Sequence, residues 1–449
     1  MKLEAIYKNK YFYPAVLVVA TVIVYWPILF NQFLMAWDDQ WVCINEYTDA
    51  GFSSENLWYI LTEFYHGQYA PVNELYYLTI HEIFGYNPFW FHLGSMLLHI
   101  ANVILVWLFI GKILERGSNL GTTAQKRIAF FTALLFAVHP FNTEAVAWIS
   151  ASKILLYAFF YLLALLAYLK YTESLKRHYY LLTLSLYIVS FGAKEQAVVF
   201  VFALLLIDWW ILKRKMTKEV WLEKMPFFLL ALFFGIITIF SQQGWWNFSS
   251  GSEGYPIYQR IVFASYSFFE YLVKCLLPIK LSYLYPFPNQ PGESMPVLYY
   301  IYPIVILVAT VTLWNFWKKR WVFFGVALFA IHLGVALHII SLSRFAIVAD
   351  RYAYLSAVGL FFILAYYFSK AIDRKMKYGR MLTVACLIYA ISIGAYAHER
   401  TKVWYNTESV KKELRGMLKK REGFERVKEL KSEEYKKMKI IREKKVKSK

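Results

Sequence analysis

Long apolar blocks with almost no charged residues constrain this chain more than any other feature of its sequence. They lie at residues 11–30, 89–110, 128–141, 154–169, 179–193, 197–212, 226–240, 297–316, 322–341, 352–369 and 381–397. A helix needs about 20 predominantly apolar residues to cross the hydrocarbon core of a bilayer. Of the 449 residues, 59% are hydrophobic and only 18% are charged. This composition excludes an ordinary soluble domain and a disordered chain. The blocks therefore predict an all-α polytopic membrane protein.

The distribution of positive charge predicts the topology. No Lys or Arg occurs from Tyr11 to Gly111, whereas the loop 31–88 carries eight acidic residues. Short loops rich in Lys and Arg stay in the cytoplasm, so this loop should face outwards and the N-terminus inwards. The apolar segment 261–278 is interrupted by charges, and it is either a twelfth span or a re-entrant or surface segment. Charge bias favours the second reading, which gives about 11 spans with the C-terminus outside.

The net charge of +19 has two main origins, which are the inner loops and the end of the chain. Residues 398–449 hold 19 of the 49 Lys and Arg residues beside nine acids, and they form a predicted basic tail after a membrane domain at 1–397. Nucleic acid is not an expected partner, because no soluble fold is left to present a binding surface. Only seven cations fall on the predicted outer side: Lys153, Lys194, Arg260, Lys274, Lys280, Arg344 and Arg351.

Two segments should cover the outer ends of the spans. Residues 52–66 have the spacing of an amphipathic helix, capped by Ser53 or Ser54, with an apolar face. That face consists of Leu57, Trp58, Leu61, Phe64 and Tyr65. Such a helix lies either in the membrane interface or against other loops. Residues 241–296 form the second segment, on the outer surface or re-entrant.

Four short motifs place ionisable side chains at predicted outer span ends. They are Asp38-Asp39, the stretch from His139 to Glu144, Lys194-Glu195 and Asp350-Arg351-Tyr352. Each motif also has a purely structural interpretation. Asp38-Asp39 would be two solvated loop acids, and the second motif would contain a turn-capping His139 and a Glu144 paired with Lys153. Each of the other two motifs would be a local ion pair. Three distant cysteines indicate neither a disulfide framework nor a metal site. The convergence on one face favours a surface site over a transporter, whose ionisable groups lie near the midplane.

Sugar transfer from a lipid phosphate to a hydroxyl fits such a site. One carboxylate can take the proton of the acceptor hydroxyl as its oxygen attacks the anomeric carbon. The leaving group is a phosphate, so a cation that holds its negative charge can replace a general acid. The lipid tail of the donor would lie between the spans.

The order of six motifs resembles the GT-C glycosyltransferases of the protein O-mannosyltransferase superfamily. Prokaryotic relatives of the transmembrane, tetratricopeptide-repeat-containing O-mannosyltransferases are most similar, over about residues 11–410. The motifs are Trp37-Asp38-Asp39, the His92–His99 stretch, the His139–Ser150 stretch, Ala193-Lys194-Glu195 with Asp208, Pro278–Ser282 with Tyr285, and the Ala349–Leu355 stretch.

The resemblance implies a GT-C fold and an inverting enzyme that uses a polyprenyl-phosphate-linked sugar at the extracytoplasmic face. It implies that Asp38 or Asp39 is the catalytic base, and Asp38 is favoured. Substrate or the donor phosphate would be contacted by Arg351, Lys194, His139, Glu144, Asp350, Tyr352 and Lys153. The acceptor would be a protein, lipid or glycan, and the location the cytoplasmic membrane of a prokaryote. No cofactor is certain, and no divalent metal is implied.

Three departures from the family pattern concern the acceptor and the sugar. Ala70-Pro71 stands where the family has Arg-Pro, and Ser152 and Ile154 flank Lys153 in place of an Arg and an Asp. A short charged tail replaces the repeat array. A transporter or flippase, an oligosaccharide ligase or polymerase, and a non-catalytic membrane scaffold are the alternatives.

Overall fold

The computed structural model describes six stretches of the chain. They are residues 11–243, 255–282, 285–289, 291–339, 346–373 and 378–419. Several predictions lie outside these residues, including the inward-facing N-terminus at residues 1–10, Arg344, and the predicted tail beyond residue 419.

The described residues form α-helices joined by short 3₁₀ segments. In chain order the α-helices are α1 (Phe12–Tyr25), α2 (Asp39–Val42), α3 (Glu46–Asp49), α4 (Ser54–Thr62), α5 (Pro71–Phe84), α6 (Pro88–Gly117), α7 (Thr122–Val138), α8 (Thr143–Ala147), α9 (Ser152–Ser174), α10 (Arg177–Ala193), α11 (Phe200–Leu206), α12 (Lys218–Gln243), α13 (Ile257–Leu276), α14 (Ile301–Thr312), α15 (Trp314–Trp317), α16 (Arg320–Leu333), α17 (Ala357–Asp373), α18 (Gly379–Thr401) and α19 (Thr407–Leu418).

A helix lies at each of the apolar blocks, which confirms the prediction of an all-α membrane protein. Five helical stretches are long and apolar enough to be candidate spans: Phe12–Phe30, Pro88–Gly117, Ile149–Ser174, Lys218–Ser241 and Met381–Trp404. Shorter apolar helices occupy Val297–Thr312 and Arg320–Ala336. The number of 11 crossings and the orientation of the chain stay predictions.

The predicted outer loop 31–88 folds into four short helices whose ends follow their sequence. The Asn45 side chain accepts the Thr48 N–H while the Thr48 side chain accepts the Asn45 N–H, and this capping box starts α3. The Ser53 side chain accepts from the Asn56 N–H and starts α4. Gly85 ends α5 with a φ of 65°, a conformation that a glycine adopts without strain.

The amphipathic helix exists but is shorter than the predicted 52–66. It is α4, which ends at Thr62. Trp58 and Phe64 are exposed, as an apolar surface face requires, but Ile60 is buried against Tyr47 and Leu78. Phe64 and Tyr65 follow the helix rather than extending it, because the chain turns back through a bridge between Tyr65 and Gln68.

The bundle core is built from α6, α7, α9 and α10, which pack side by side, and α7 also packs on α17. Helices α16 and α17 approach each other most closely at Gly325 and Gly359. A Cβ atom on either glycine would collide with the backbone carbonyl of the other. Only glycine therefore allows this crossing.

A closed network of charges ties three elements together at the predicted cytoplasmic end. The Lys224 ammonium lies 2.8 Å from Asp208 Oδ2, and both side chains are fully buried. Arg214 contacts Asp208 at 3.1 Å and Glu223 at 2.8 Å. The Tyr168 hydroxyl donates to Asp208 at 2.5 Å. Asp208, which the resemblance placed among the family motifs, is therefore part of a structural network outside the predicted outer face.

The chain does not change its structure at residue 398, where the tail was predicted to begin. Helix α18 continues to Thr401, and the Trp404 side chain is buried and stacks on Trp148 with ring centroids 5.5 Å apart. The Gln32 N–H donates to the Tyr405 carbonyl at 2.8 Å. The first part of the predicted tail thus packs on the membrane domain, beside the first outer loop.

Candidate functional site

Asp38 and Asp39 follow the first span, and their side chains point in different directions. Asp38 precedes α2 with a φ of 139°, which is a strained backbone for a residue with a Cβ atom. Strain of this kind is concentrated at functional sites. The Asp38 carboxylate is half-buried, and its Oδ1 accepts the Trp41 indole N–H at 3.2 Å. Its Oδ2 has no hydrogen-bond partner among the residues that the structure describes.

Asp39 is fully buried and holds the loop to the bundle. Its Oδ2 accepts the Leu34 N–H at 2.8 Å, and its Oδ1 accepts the Ser150 N–H at 3.1 Å and the Ser150 hydroxyl. Burial raises the pKa of Asp39 to about 6, although these hydrogen bonds oppose the shift. Both oxygens are occupied, so Asp39 positions the loop and leaves Asp38 as the accessible carboxylate.

A turn of the first outer loop covers Trp41. His66 stacks on the Trp41 ring with a centroid distance of 4.8 Å, and both His66 and Gly67 have positive φ angles. Gln68 then accepts a hydrogen bond from the Lys153 ammonium at 2.7 Å. The turn thus connects the ring beside Asp38 to a cation on α9, and it begins at the end of the segment 52–66 that was predicted to cover the outer ends of the spans.

Lys153 lies among the other charged groups of the site. It interacts electrostatically with Asp38, Lys194, Glu195 and Arg351. Burial raises the pKa of Asp38, and the positive charges of Lys153 and Arg351 and the Trp41 hydrogen bond partly offset this rise. Lys153 thus interacts with three other predicted site residues, Asp38, Lys194 and Arg351, which come from segments far apart in the sequence.

Lys194 and Arg351 each have an acidic partner. The Lys194 ammonium lies 2.8 Å from Glu195, so these two residues form a local ion pair. Arg351 pairs instead with Glu144: the Arg351 N–H donates to Oε2 at 2.8 Å and the guanidinium to Oε1 at 2.5 Å. The alternative that Glu144 pairs with Lys153 is wrong, because the partner of Glu144 is Arg351 and the Lys153 ammonium donates to Gln68.

The guanidinium of Arg351 is enclosed by two aromatic rings. It lies 5.4 Å from the centroid of Trp148 and 4.8 Å from that of Tyr352, which is the geometry of a cation–π contact. Its side chain keeps 23% exposure, whereas Glu144 keeps 3%. The planar, permanently charged group is therefore held in place by one carboxylate and two rings, on a side chain that stays partly exposed.

Asp350 faces a second group of cations behind Arg351. It is buried and accepts the Tyr285 hydroxyl at 3.0 Å. Lys274 lies over the Tyr285 ring at 4.9 Å, and Arg400 interacts electrostatically with Asp350. Burial and the neighbouring charge of Glu144 raise the pKa of Asp350.

His139 lies away from any open space. Its side chain is fully buried, accepts the Phe141 N–H at 3.2 Å, and lies against the rings of Phe141 and Phe361. The simpler reading of a turn-capping histidine therefore describes its contacts. His99, from an earlier motif, bonds through Nδ1 to the Tyr354 hydroxyl at 2.7 Å.

Sequence reasoning missed several residues beside the predicted ones. Trp41 follows Asp38 by three residues, and this helical spacing could have revealed their contact. Arg400 was counted with the tail, and nothing in the sequence marks Gln68. Among the described residues, no group of three His, Cys, Asp or Glu side chains could hold a metal ion.

These contacts define a helical membrane protein in which the partly exposed carboxylate of Asp38 lies near the cations Lys153 and Arg351. The known proteins that it resembles in sequence are O-mannosyltransferases. Human protein O-mannosyl-transferase TMTC1 is 33% identical over 148 residues, which are 31% of this chain and 15% of that protein. Human TMTC4 is 32% identical over 150 residues, 30% of this chain and 20% of that protein. Mouse TMTC2 is 35% identical over 109 residues, 24% of this chain and 12% of that protein.

The similarity confirms the resemblance to O-mannosyltransferases and the mannosyltransferase-like, membrane character of the chain. It covers about a third of the chain at most, and the matched segments are a fifth or less of these relatives. No family model matches. Among solved structures, the apo Archaeoglobus fulgidus oligosaccharyltransferase has a TM-score of 0.42 and 14% identity, covering 90% of this chain and 56% of that one.

Proposed function

We propose that this protein is an inverting GT-C glycosyltransferase that moves a sugar from a polyprenyl-phosphate-linked donor to an acceptor hydroxyl. Transfer would take place at the extracytoplasmic face of a prokaryotic cytoplasmic membrane. Domain 1–397 would be the catalytic unit, with about 11 spans, and residues 398–449 its basic extension. The names of the similar O-mannosyltransferases support a serine or threonine of a protein as the acceptor, with a lipid or glycan as alternatives.

One observation carries this proposal. Asp38 has a free carboxylate oxygen and lies within electrostatic reach of Lys153 and Arg351. A base and cations for a leaving phosphate are the two requirements of this transfer.

The residues would act together in one displacement. Asp38 Oδ2 accepts the proton of the acceptor hydroxyl while the hydroxyl oxygen forms a bond to the anomeric carbon. The bond from that carbon to the phosphate oxygen breaks, and the electron pair stays on the polyprenyl phosphate. Arg351 and Lys153 stabilise the new negative charge, and Lys194 adds to the positive field. Tyr352 and Glu144 hold the Arg351 guanidinium, and His139 and Asp350 position the segments behind it.

The test is sugar transfer in membranes that contain the full chain. Membranes are incubated with labelled polyprenyl-phosphate sugars, and the label is followed into protein, lipid and glycan fractions. We expect Asp38→Asn to lower transfer by about 10²–10⁴-fold, the usual contribution of a general base. Asp49→Asn is the matched control, since Asp49 is an exposed acid of the same loop that accepts the Tyr86 hydroxyl. Equal transfer by the wild type and Asp38→Asn would show that Asp38 is not the catalytic base.

Other outcomes would change the functional class. Label that crosses the membrane without changing its lipid carrier would indicate a flippase or transporter. Label found on a preassembled oligosaccharide would indicate a ligase or polymerase.

A further inference from the structure

Trp41 contacts Asp38 at two points. Its backbone N–H donates to the Asp38 carbonyl at 3.0 Å, and its indole N–H donates to Asp38 Oδ1 at 3.2 Å. An aspartate side chain turns about only two bonds. A fixed main chain and one bound carboxylate oxygen restrict the rotation about both of them. The other oxygen, Oδ2, is the one that the proposed transfer uses as the base.

The Trp41 ring is itself held by the turn that carries His66. The two rings stack with a centroid distance of 4.8 Å and an angle of 25° between their planes. Two backbone hydrogen bonds of 3.0 Å between Tyr65 and Gln68 close this turn. Aromatic pairs of this kind add stabilisation beyond the area that they bury. The indole therefore has a fixed orientation before any substrate binds.

The other groups that face the Asp38 carboxylate are charged. Burial raises its pKa, and Lys153, the Trp41 hydrogen bond and Arg351 partly offset this rise. The charge of Asp38 in turn raises the pKa of the neighbouring Asp39. In the proposed transfer, the leaving phosphate competes with Asp38 for Lys153 and Arg351. The neutral indole has no such competitor, so it can hold the carboxylate throughout the displacement.

We propose that Trp41 is a positioning residue of the transfer reaction, whose indole N–H holds Oδ1 of Asp38 so that Oδ2 is presented to the acceptor hydroxyl. The inference rests on the proposed glycosyltransferase function. Trp41 acts through the base and not on the substrate. The alternative role of Trp41 is packing, which requires the ring but not its nitrogen.

The first test is Trp41→Phe, which keeps an aromatic ring beside His66 and removes the N–H that reaches Asp38. Membranes with the full chain are incubated with the labelled polyprenyl-phosphate sugar that the wild type transfers. We expect kcat to fall about tenfold, since a hydrogen bond to a charged group contributes at least about this factor. The KM for the donor should stay within about twofold of the wild-type value. A wild-type kcat would overturn the inference.

The pH profile separates positioning from packing. A hydrogen bond donated to a carboxylate favours its charged form, so loss of the indole N–H should raise the pKa of Asp38. The acid limb of kcat/KM should therefore move to higher pH by about one pH unit, which corresponds to a tenfold factor. An acid limb at the wild-type position would overturn the inference, because a ring that only packs donates nothing to the carboxylate.

A double variant shows whether Trp41 acts through Asp38. Residues that act as a unit have strongly non-additive effects. In the Asp38→Asn background, we therefore expect Trp41→Phe to cause no further loss of the residual transfer. A second tenfold loss in that background would overturn the inference, since Trp41 would then act on another group.

Trp90→Phe is the matched control. Trp90 packs on the same hydrophobic cluster as Trp41 and stacks on Phe84 with a centroid distance of 3.9 Å. We expect this variant to keep the wild-type kcat and the wild-type pH profile. The same shift of the acid limb in Trp90→Phe would overturn the inference, because the effect would not depend on the contact with Asp38.

A second variant keeps the test decisive if Trp41→Phe does not fold, which thermal unfolding in detergent shows. His66→Asn removes the ring that stacks on Trp41, and asparagine tolerates the positive φ of 47° at this position. Burial lowers the pKa of His66, so its ring is neutral at neutral pH. We expect a smaller shift of the acid limb in the same direction as in Trp41→Phe. An unchanged limb in folded His66→Asn would overturn the inference.

Failure of this inference is distinguishable from failure of the proposed function. If label is transferred in an Asp38-dependent manner and Trp41→Phe behaves like the wild type, the positioning role is wrong and the enzyme is correct. If the wild type transfers no label to any acceptor, the proposed function fails, and the inference fails with it.

Discussion

Two adjacent carboxylates of the loop 31–88 have different surroundings because of a single backbone angle. The positive φ of Asp38 turns the chain so that Asp39 enters the core and Asp38 does not. Asp39 gains three hydrogen bonds from Leu34 and Ser150, and these bonds stabilise the strained conformation. The pair therefore consists of one anchoring carboxylate and one carboxylate available for chemistry.

The pH dependence of transfer should report the ionisation of Asp38. The base acts when deprotonated, so transfer is lost as the pH falls through its pKa. Burial raises that pKa above the ordinary value of 3.8. We therefore expect an acid limb in the pH profile of kcat/KM with a midpoint above that of an ordinary aspartate. The residual transfer of Asp38→Asn should lack this limb.

Protonation of Asp39 at low pH would not unfold the protein and so would not produce the same acid limb. Because the pKa of Asp39 is raised to about 6, its contribution to stability is fully present below the ordinary value and is lost as the pH rises through 6. Thermal unfolding at each pH measures how much protein stays folded. An acid limb that coincides with a loss of folded protein would contradict the assignment to Asp38.

The pair of Arg351 and Glu144 makes a simple alanine scan misleading. Removal of Arg351 leaves the Glu144 carboxylate buried without its cation, and breaking a buried pair in this way costs about 3–5 kcal/mol. We expect Arg351→Ala to lower the thermal stability of the protein and to raise the KM for the labelled donor. The double variant Glu144→Gln/Arg351→Ala should recover most of the thermal stability but keep the raised KM for the donor. Thermal unfolding in detergent and the KM for the labelled donor separate the two effects.

The role of Arg351 at the donor is wrong if the double variant regains a wild-type KM for the donor. In that case Arg351 would serve only to neutralise Glu144. The Glu144→Gln single variant is the matched control, since it keeps the guanidinium and removes its partner's charge.

At the scale of elements, the uncharged apolar blocks predicted where the long helices lie, but the boundary drawn at residue 398 falls inside one of them. Residues 398–404 were grouped with a charged tail because Arg400 and Lys402 lie there. In the structure α18 continues to Thr401, and Arg400 pairs with Glu413 of α19 at 3.0 Å. The partners that bury these residues come from other segments, and no local pattern announces them.

The packing of this C-terminal segment predicts a large effect of one substitution. Trp404 is 1% exposed and stacks on Trp148, which follows the Glu144 motif. We expect Trp404→Ala to destabilise the protein by about 3–5 kcal/mol, as buried Trp to Ala changes do. Thermal unfolding in detergent measures this loss. Trp58→Ala is the control, because Trp58 is 65% exposed, and a loss as large as that of Trp404→Ala would contradict the packing argument.

At the scale of the whole molecule, the prediction that awaits a test is the topology. In the predicted arrangement, Met35 faces outwards and Leu175 faces the cytoplasm, and both side chains are exposed. With Cys43, Cys275 and Cys386 replaced by Ser, we expect a membrane-impermeant thiol reagent to label Met35→Cys in intact cells. Leu175→Cys should react only after the membrane is opened. The reverse labelling pattern would show that the chain has the opposite orientation and that the proposed site lies at the cytoplasmic face.

The sequence by itself determined the membrane class, the positions of the long apolar helices and the resemblance to O-mannosyltransferases. These properties depend on the composition and length of contiguous segments, and on motifs that can be read in order. It also identified most charged residues of the candidate site, because ionisable groups are conspicuous at the ends of apolar spans.

Only the tertiary structure decided how these residues divide their roles. The choice between Asp38 and Asp39, the pairing of Glu144 with Arg351, and the place of Lys153 against Gln68 all depend on segments distant in the chain. A charged side chain near a bilayer must find a partner or water, and which partner it finds is set by packing. Local sequence carries no record of that choice.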